Sequence, residues 1–133
     1  MCMTMVLFTS SCKSTKEIMQ SSTLLYNTNW SLKKIHDKGN EEIVNTKAFI
    51  RFDKEKGSAG GNSSCNNFGS SATISRNEVT FKNIFSTKMY CEQVQSIENK
   101  FLGNLEKINN YETKDKILLL YRDKELLLEF TAE

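Results

Sequence analysis

Most apolar residues of this chain fall into short segments with a spacing of two, the spacing of a β-strand with one buried face. Ala48, Ile50 and Phe52 show this spacing, and so do Val79 and Phe81. Alternate side chains of a strand share a face, so such a segment can bury one side against a core. The chain contains no proline, so Gly, Asn and Asp must form the turns. These features predict a mainly antiparallel sheet.

The turns between the apolar segments place the strands along the chain. A turn at 36–41 ends the first strand, and a turn at 53–57 ends the second. The stretch 58–74 is rich in Gly, Ser and Asn, and we interpret it as two strands around a tight corner. The last three segments predict a β-meander. The predicted strands cover 30–35, 48–52, 58–74, 79–84, 111–113, 117–121 and 126–130.

One stretch, 96–108, has the spacing of an amphipathic helix. Ser96 is a suitable N-cap, and Glu98 is favourably placed in the first turn. Gly103 costs about 1 kcal/mol relative to alanine in a helix, which suggests close packing against a neighbour. Strands plus one helix predict an α+β domain. The apolar residues that share one helix face are Ile97, Phe101, Leu102, Leu105 and Ile108.

Length and charge restrict the functional classes. A chain of 133 residues is one domain with a core of its own, and we expect a monomer. Its 18 Lys and Arg against 16 Asp and Glu leave a net charge of +2, which excludes the dense basic surface of a nucleic-acid-binding protein. No apolar run approaches the roughly 20 residues that span a bilayer.

The first eleven residues differ in composition from the rest of the chain. They carry no charge, whereas Lys13 and Lys16 follow directly after Cys12. A short apolar run, small residues and then a cysteine are typical of the end of a bacterial lipoprotein signal peptide. No Lys or Arg precedes the run, so we expect an incomplete signal at 1–11, lipidation of Cys12 and a flexible tether at 12–23. The alternative is a disordered start and a free thiol at Cys12.

Two segments resemble the motifs of a known family. GGNSSCNNFG at 60–69 and STKMYC at 86–91 precede the helix in that order. Together they resemble the META domain (DUF306) family, the family of the heat-inducible bacterial lipoprotein HslJ, over 24–133. Ser64 stands where glycine or another small residue often precedes the cysteine. The residues that carry the resemblance are Gly61, Cys65, Asn66, Phe68, Thr87, Lys88, Met89 and Cys91.

The resemblance implies a fold, a location and little chemistry. The implied fold is a half-open antiparallel β-barrel or a strongly curved sheet, with one packed amphipathic helix. The implied location is the bacterial cell envelope, at the outer membrane or its periplasmic face, with a lipid anchor as the membrane attachment. The family has no established catalytic activity, so we expect neither an enzyme nor a cofactor.

Cys65 and Cys91 are the cysteines of the part expected to fold, and the predicted export signal precedes them. Oxidising compartments favour pairing, so we predict a structural disulfide between them. The alternative is two buried thiols in neighbouring core positions. Two thiols are too few ligands for a metal site, and the single histidine, His36, lies in a predicted turn.

The other motif residues have structural and functional interpretations. Asn66 and Asn67 could bind a ligand, but asparagine in such a corner more often hydrogen-bonds the backbone. Met89 is interpreted as core and Thr87 as tying down the connection to the helix, although both could form a recognition loop. Lys88 is expected to face water and is our preferred contact residue. Aromatic residues at strand or helix spacing are interpreted as core: Trp30, Phe49, Phe52, Phe81, Phe85 and Phe101.

No constellation in the sequence specifies a reaction. The carboxylates lie in turns or on the polar helix face, Glu98 among them, where solvation explains them. We therefore expect a non-enzymatic envelope lipoprotein that binds an envelope protein or lipid, or supports the envelope under stress. The alternative is a carrier or chaperone that holds an acyl chain or hydrophobic peptide in an apolar cavity of the half-barrel.

Overall fold

The computed structural model describes residues 25–133, which form nine strands and the helix α1. Helix α1 (Gln95–Leu105) lies between the sixth and seventh strands in the sequence. The strands are β1 (Trp30–Asp37), β2 (Asn40–Ile43), β3 (Phe49–Asp53), β4 (Ser58–Asn62), β5 (Asn67–Ser75), β6 (Glu78–Ser86), β7 (Asn110–Lys114), β8 (Ile117–Arg122) and β9 (Glu125–Ala132).

The nine strands form one antiparallel sheet that returns to its own start. Their order is β2-β1-β3-β4-β5-β6-β7-β8-β9, and β1 also pairs with β9 through residues such as Leu32 and Phe130. The sheet is therefore a strongly curved ring. The junction of β6 with β7 is narrow, with Glu78 opposite Asn110 as its paired residues. The structure confirms the α+β class and the strongly curved sheet.

Buried side chains from the strands and one face of α1 fill the interior of the ring. The ring of Phe101 on α1 lies 5.3 Å from that of Phe68 and 5.9 Å from that of Phe130, measured between centroids. The helix therefore packs against both the middle and the last strand of the sheet. The largest fully buried side chains are Trp30, Phe52, Phe101, Phe130, Leu25, Leu32, Ile35, Ile50, Leu105, Leu118, Leu120 and Leu128.

Three local predictions are wrong. The predicted turn at 36–41 contains a two-residue hairpin turn at Lys38 and Gly39, and β2 begins directly after it. Helix α1 is capped at Val94 without a side-chain hydrogen bond, so Ser96 is not the N-cap. Gly103 is exposed, and a Cβ built on it has no atom within 4 Å, so it does not mark close packing.

Phe85 is not a core residue, and a β-bulge explains why. Gly69 pairs with Phe85 and Ser71 with Lys82, so β6 has one more residue than β5 over this stretch. Asn83, within the extra length, has a φ of +55°. An extra residue reverses the side on which later side chains emerge. The alternation that buries Val79 and Phe81 therefore turns Phe85 outward.

None of the helices in 25–133 has the length and apolar character that a membrane crossing would need. Within the same residues, no group of three or more His, Cys, Asp or Glu side chains is arranged to hold a metal ion. The predicted signal segment 1–11, the lipidation site Cys12 and the tether 12–23 lie outside the described residues.

Candidate functional site

The connection between β4 and β5, residues 62–67, forms a tight and buried corner. The Ser63 amide donates to the Asn66 carbonyl at 2.8 Å, and the Ser64 amide donates to Oδ1 of Asn62 at 2.9 Å. Ser64 has a φ of +108°, a conformation that L residues rarely adopt. A Cβ on Gly61, just before the corner, would overlap the Phe49 carbonyl oxygen. The corner therefore requires the glycine of the first motif.

Glu98, in the first turn of α1, lies under this corner with 2% of its surface exposed. Its Oε1 accepts hydrogen bonds from Oγ of Ser63 and, at 2.8 Å, from the amide of Asn66. Its Oε2 accepts from Nδ2 of Asn66 at 2.9 Å and from Nε2 of Gln95 at 3.3 Å. The carboxylate thus joins the helix to the corner.

These hydrogen bonds also determine the ionisation of Glu98. Burial alone raises the pKa of its carboxyl group, because a charged carboxylate loses its hydration. The hydrogen bonds from Ser63, Asn66 and Gln95 stabilise the charged form and outweigh that effect, so the pKa lies below its ordinary value of 4.5. The expectation that Glu98 is a solvated carboxylate is wrong.

Asn66 connects the corner to the second motif through its side-chain amide. Its Oδ1 accepts from Oγ1 of Thr87 and from the amide of Met89, both at 2.8 Å. Its Nδ2 donates to the Met89 carbonyl at 2.9 Å as well as to Glu98. Two donated and two accepted bonds use the full capacity of an asparagine side chain. No part of this amide is left over for a ligand.

A disulfide between Cys65 and Cys91 joins the two motifs covalently, as predicted. The two Cα atoms lie 5.8 Å apart across a sequence separation of 26 residues. The bridge lies beside the Asn66 contacts, so the segment 86–91, called here the motif loop, is attached to the corner by both a covalent bond and hydrogen bonds. The two motifs therefore form one structural unit in space.

The motif loop exposes apolar side chains although its backbone is held firmly. Met89 is 61% exposed and Tyr90 76%, and Phe85, just before the loop, is 69% exposed. The expectation that Met89 is core is wrong, because both of its backbone polar groups bond the Asn66 side chain and its own side chain points outward. Lys88 faces water as expected, with Nζ 3.4 Å from Oγ of Ser86.

Two residues of the first motif, Phe68 and Gly69, have packing roles. Phe68 is buried against Phe101 of the helix. Phe85 lies over Gly69, where a Cβ would come within 2.5 Å of the phenylalanine ring. Because Gly69 has no side chain, the Phe85 ring can pack directly over it on the outer face of the sheet.

Glu98 is the residue of this site that the sequence interpretation missed. Residues 98, 101 and 105 are spaced by three and four, so Glu98 shares a helix face with Phe101 and Leu105. A carboxylate on an apolar face next to a motif rich in Ser and Asn was the available signal. Its significance depended on the corner, which comes from another part of the chain.

A groove of about 770 Å³ lies beside the hairpin of β3 and β4. It is open at the surface, and charged side chains such as Arg51 and Lys54 contribute to its wall. It is therefore a mixed surface groove and not the continuous apolar cavity expected of an acyl-chain carrier. Its lining residues are Tyr26, Asn27, Phe49, Arg51, Phe52, Asp53, Lys54, Glu55, Ser58, Ala59, Gly60 and Gly61.

A sequence model of the META domain matches residues 22–133, which include both motifs and the helix. The chain belongs to the META domain family. This finding confirms the resemblance drawn from the corner and the motif loop. A search of curated protein sequences finds no match to this META domain.

Solved structures share the fold of this META domain. A protein from Burkholderia xenovorans, solved by NMR, is similar with a TM-score of 0.70 and 21% identity, over 84% of this chain and 86% of that one. A DUF4847 family protein from Bacteroides vulgatus, solved by crystallography, has a TM-score of 0.61 and 17% identity, over 83% of this chain and 95% of that one. At such identities the likeness concerns the fold.

Proposed function

We propose that this META domain is a non-enzymatic binding module of the bacterial cell envelope, anchored by a lipid on Cys12 and serving the envelope under stress. The observation that carries this proposal is the disulfide between Cys65 and Cys91. Disulfides persist in secreted and periplasmic proteins and are rare in the cytosol. The bridge therefore supports the export that the sequence before Cys12 predicts.

The binding surface in this proposal is the motif loop with Phe85. Exposed apolar surface often marks an interaction site, and Phe85, Met89 and Tyr90 are exposed within six residues of the sequence. Met89 and Tyr90 are presented by a backbone that the disulfide and Asn66 immobilise. A surface ordered before binding loses little conformational entropy when it binds. The carrier alternative is not favoured, because buried side chains fill the interior of the ring.

Mass spectrometry of the protein from the membrane fraction of its native host tests the anchor. We expect a mature chain that begins at an acylated Cys12. The Cys12→Ser variant should lose the acyl group. Cys2→Ser is the matched control, since it removes a thiol from the same segment and should leave acylation unchanged. A mature chain that retains residues 1–11, with Cys12 unmodified, would refute the anchor.

A further inference from the structure

The side chains exposed within the motif loop and just before it define a candidate binding surface. This surface, called here the loop patch, consists of Phe85, Lys88, Met89 and Tyr90. We propose that the loop patch binds an anionic lipid bilayer directly and holds this end of the domain against the membrane. The inference rests on the proposed function, and it names the lipid surface as the component that the module binds.

The composition of the loop patch matches a membrane interface. Tyrosine has an apolar ring and a polar tip, and such residues are enriched where hydrocarbon meets lipid headgroups. Met89, Tyr90 and Phe85 are each more than half exposed, so they can enter the interface without unfolding the domain. The patch therefore offers apolar area at the surface of an already ordered structure.

The charge near the loop patch favours anionic headgroups. Lys88 belongs to the patch, and Lys82 is exposed on the same outer face of the sheet as Phe85. Neither lysine forms a salt bridge to an acidic residue in the part of the chain that the structure describes. Within the loop patch the charged side chain is Lys88, and the exposed acidic residue next to it in sequence, Glu92, lies beyond the disulfide-bonded Cys91.

The start of the described chain lies at the same end of the sheet as the loop patch. One row of paired residues crosses five strands through Trp30, Ile50, Gly61, Phe68 and Ser86. Four spacings between neighbouring strands amount to about 19 Å at most along this row. Ser86 begins the motif loop, at the other end of the row from Trp30.

Leu25 also lies at this end, because its carbonyl accepts a hydrogen bond from Nε1 of Trp30 at 3.0 Å. Leu25 is the thirteenth residue after Cys12 in the sequence. A chain of that length spans at most about 45 Å, more than twice the distance along the row. A lipid on Cys12 would therefore keep the loop patch within reach of the bilayer, which favours the lipid surface over a soluble protein as the occupant.

Vesicle binding without the lipid anchor isolates the contribution of the patch. The test protein is the chain from residue 12 onward with Cys12→Ser, the form that processing would leave but without its lipid. We expect it to sediment with phosphatidylcholine vesicles that contain phosphatidylglycerol, and at least 10-fold less with phosphatidylcholine alone. Adding Met89→Ser and Tyr90→Ser together should lower the partition coefficient at least 10-fold. Added salt should weaken binding, because it screens the lysine charges.

Ile43 provides a matched control, since it is another large exposed apolar residue, at 67%, on β2 and outside the loop patch. Ile43→Ser should leave vesicle binding unchanged. Equal losses from Ile43→Ser and from the patch variant would overturn the proposal. Absence of binding to anionic vesicles would also overturn it. That holds as well if crosslinking at the patch captures a protein while the vesicles are not bound.

Quenching by brominated lipid locates the contact directly. Tyr90→Trp places a reporter in the patch and Ile43→Trp places one outside it, while native Trp30 is buried in both variants. We expect brominated anionic vesicles to quench the reporter at 90 and not the reporter at 43. Equal quenching, or none, would overturn the proposal. Acylated Cys12 together with no quenching at 90 would leave the anchor standing and remove only this inference.

Discussion

Replacing Glu98 by glutamine tests whether the buried carboxylate holds the two motifs on the helix. The substitution keeps the size of the side chain and one of its oxygens. If that oxygen takes the place of Oε1, the new amide group faces Nδ2 of Asn66 and Nε2 of Gln95, which are both donors. Two of the four hydrogen bonds are then lost.

The expected loss follows from these contacts. A hydrogen bond to a charged group contributes about 1.5–3 kcal/mol. The contact from Gln95 is long, at 3.3 Å, and partly exposed, so it counts for little. We therefore expect Glu98→Gln to lower the free energy of unfolding by about 2–4 kcal/mol at neutral pH. Glu92→Gln, at an exposed site, should change it by less than about 0.5 kcal/mol.

The pH dependence gives a second and independent readout. Because the pKa of Glu98 is lower in the folded protein than the ordinary 4.5, the unfolded state binds its proton first as the pH falls. The stability from ionised Glu98 is fully present above pH 4.5 and is lost as the pH falls through the lower, folded pKa.

Urea denaturation of both proteins across this pH range measures the difference. The gap between the wild type and Glu98→Gln should be constant near neutral pH and should narrow below pH 4.5. A gap under about 0.5 kcal/mol at neutral pH, or one that stays the same down to the acid unfolding of the wild type, would refute the role of the ionised carboxylate.

Three further substitutions test the parts of the fold that surround the site. Replacing Cys65 and Cys91 together by alanine should lower the free energy of unfolding by about 3.5 kcal/mol, since the bridge closes a long loop in the unfolded chain. Reduced wild-type protein in the same denaturation assay should show a similar loss, and a loss under about 1 kcal/mol in both would contradict the argument. Gly61→Ala should cost about 2–4 kcal/mol, because its Cβ would overlap the Phe49 carbonyl. Gly103→Ala should instead stabilise the helix by up to about 1 kcal/mol, as its Cβ meets nothing. Equal changes in melting temperature for Gly61→Ala and Gly103→Ala would refute the close approach of Gly61 to the Phe49 carbonyl.

Much of the architecture could be predicted from local spacing. The alternation in 48–52 and the glycine-rich corner in 58–74 correspond to β3 and to the pair β4 and β5. The strand β2 escaped prediction because its four residues, Asn40–Ile43, carry only one apolar side chain. It exists because its backbone pairs with β1. The spacing of apolar residues within a segment does not show whether that segment has a pairing partner elsewhere in the chain.

In the candidate site, too, some features could be predicted from the sequence and others could not. The two motifs predicted which cysteines pair, because a cysteine pair in an exported domain has few other outcomes. They did not predict that Met89 and Phe85 face outward. The outward orientation of Met89 follows from its backbone hydrogen bonds to Asn66, and that of Phe85 follows from a bulge near Asn83. Neither cause belongs to the spacing of apolar residues.

The sequence by itself determined the helix, the strands other than β2, the family and the disulfide, because each depends on spacing or on residue chemistry alone. The tertiary structure decided that the sheet closes into a ring, that Glu98 is buried and charged, and that the motif loop exposes its apolar residues. Spacing determines on which side of its own strand or helix a side chain lies. Whether that side meets water, a carboxylate or a core depends on segments that are distant in the chain.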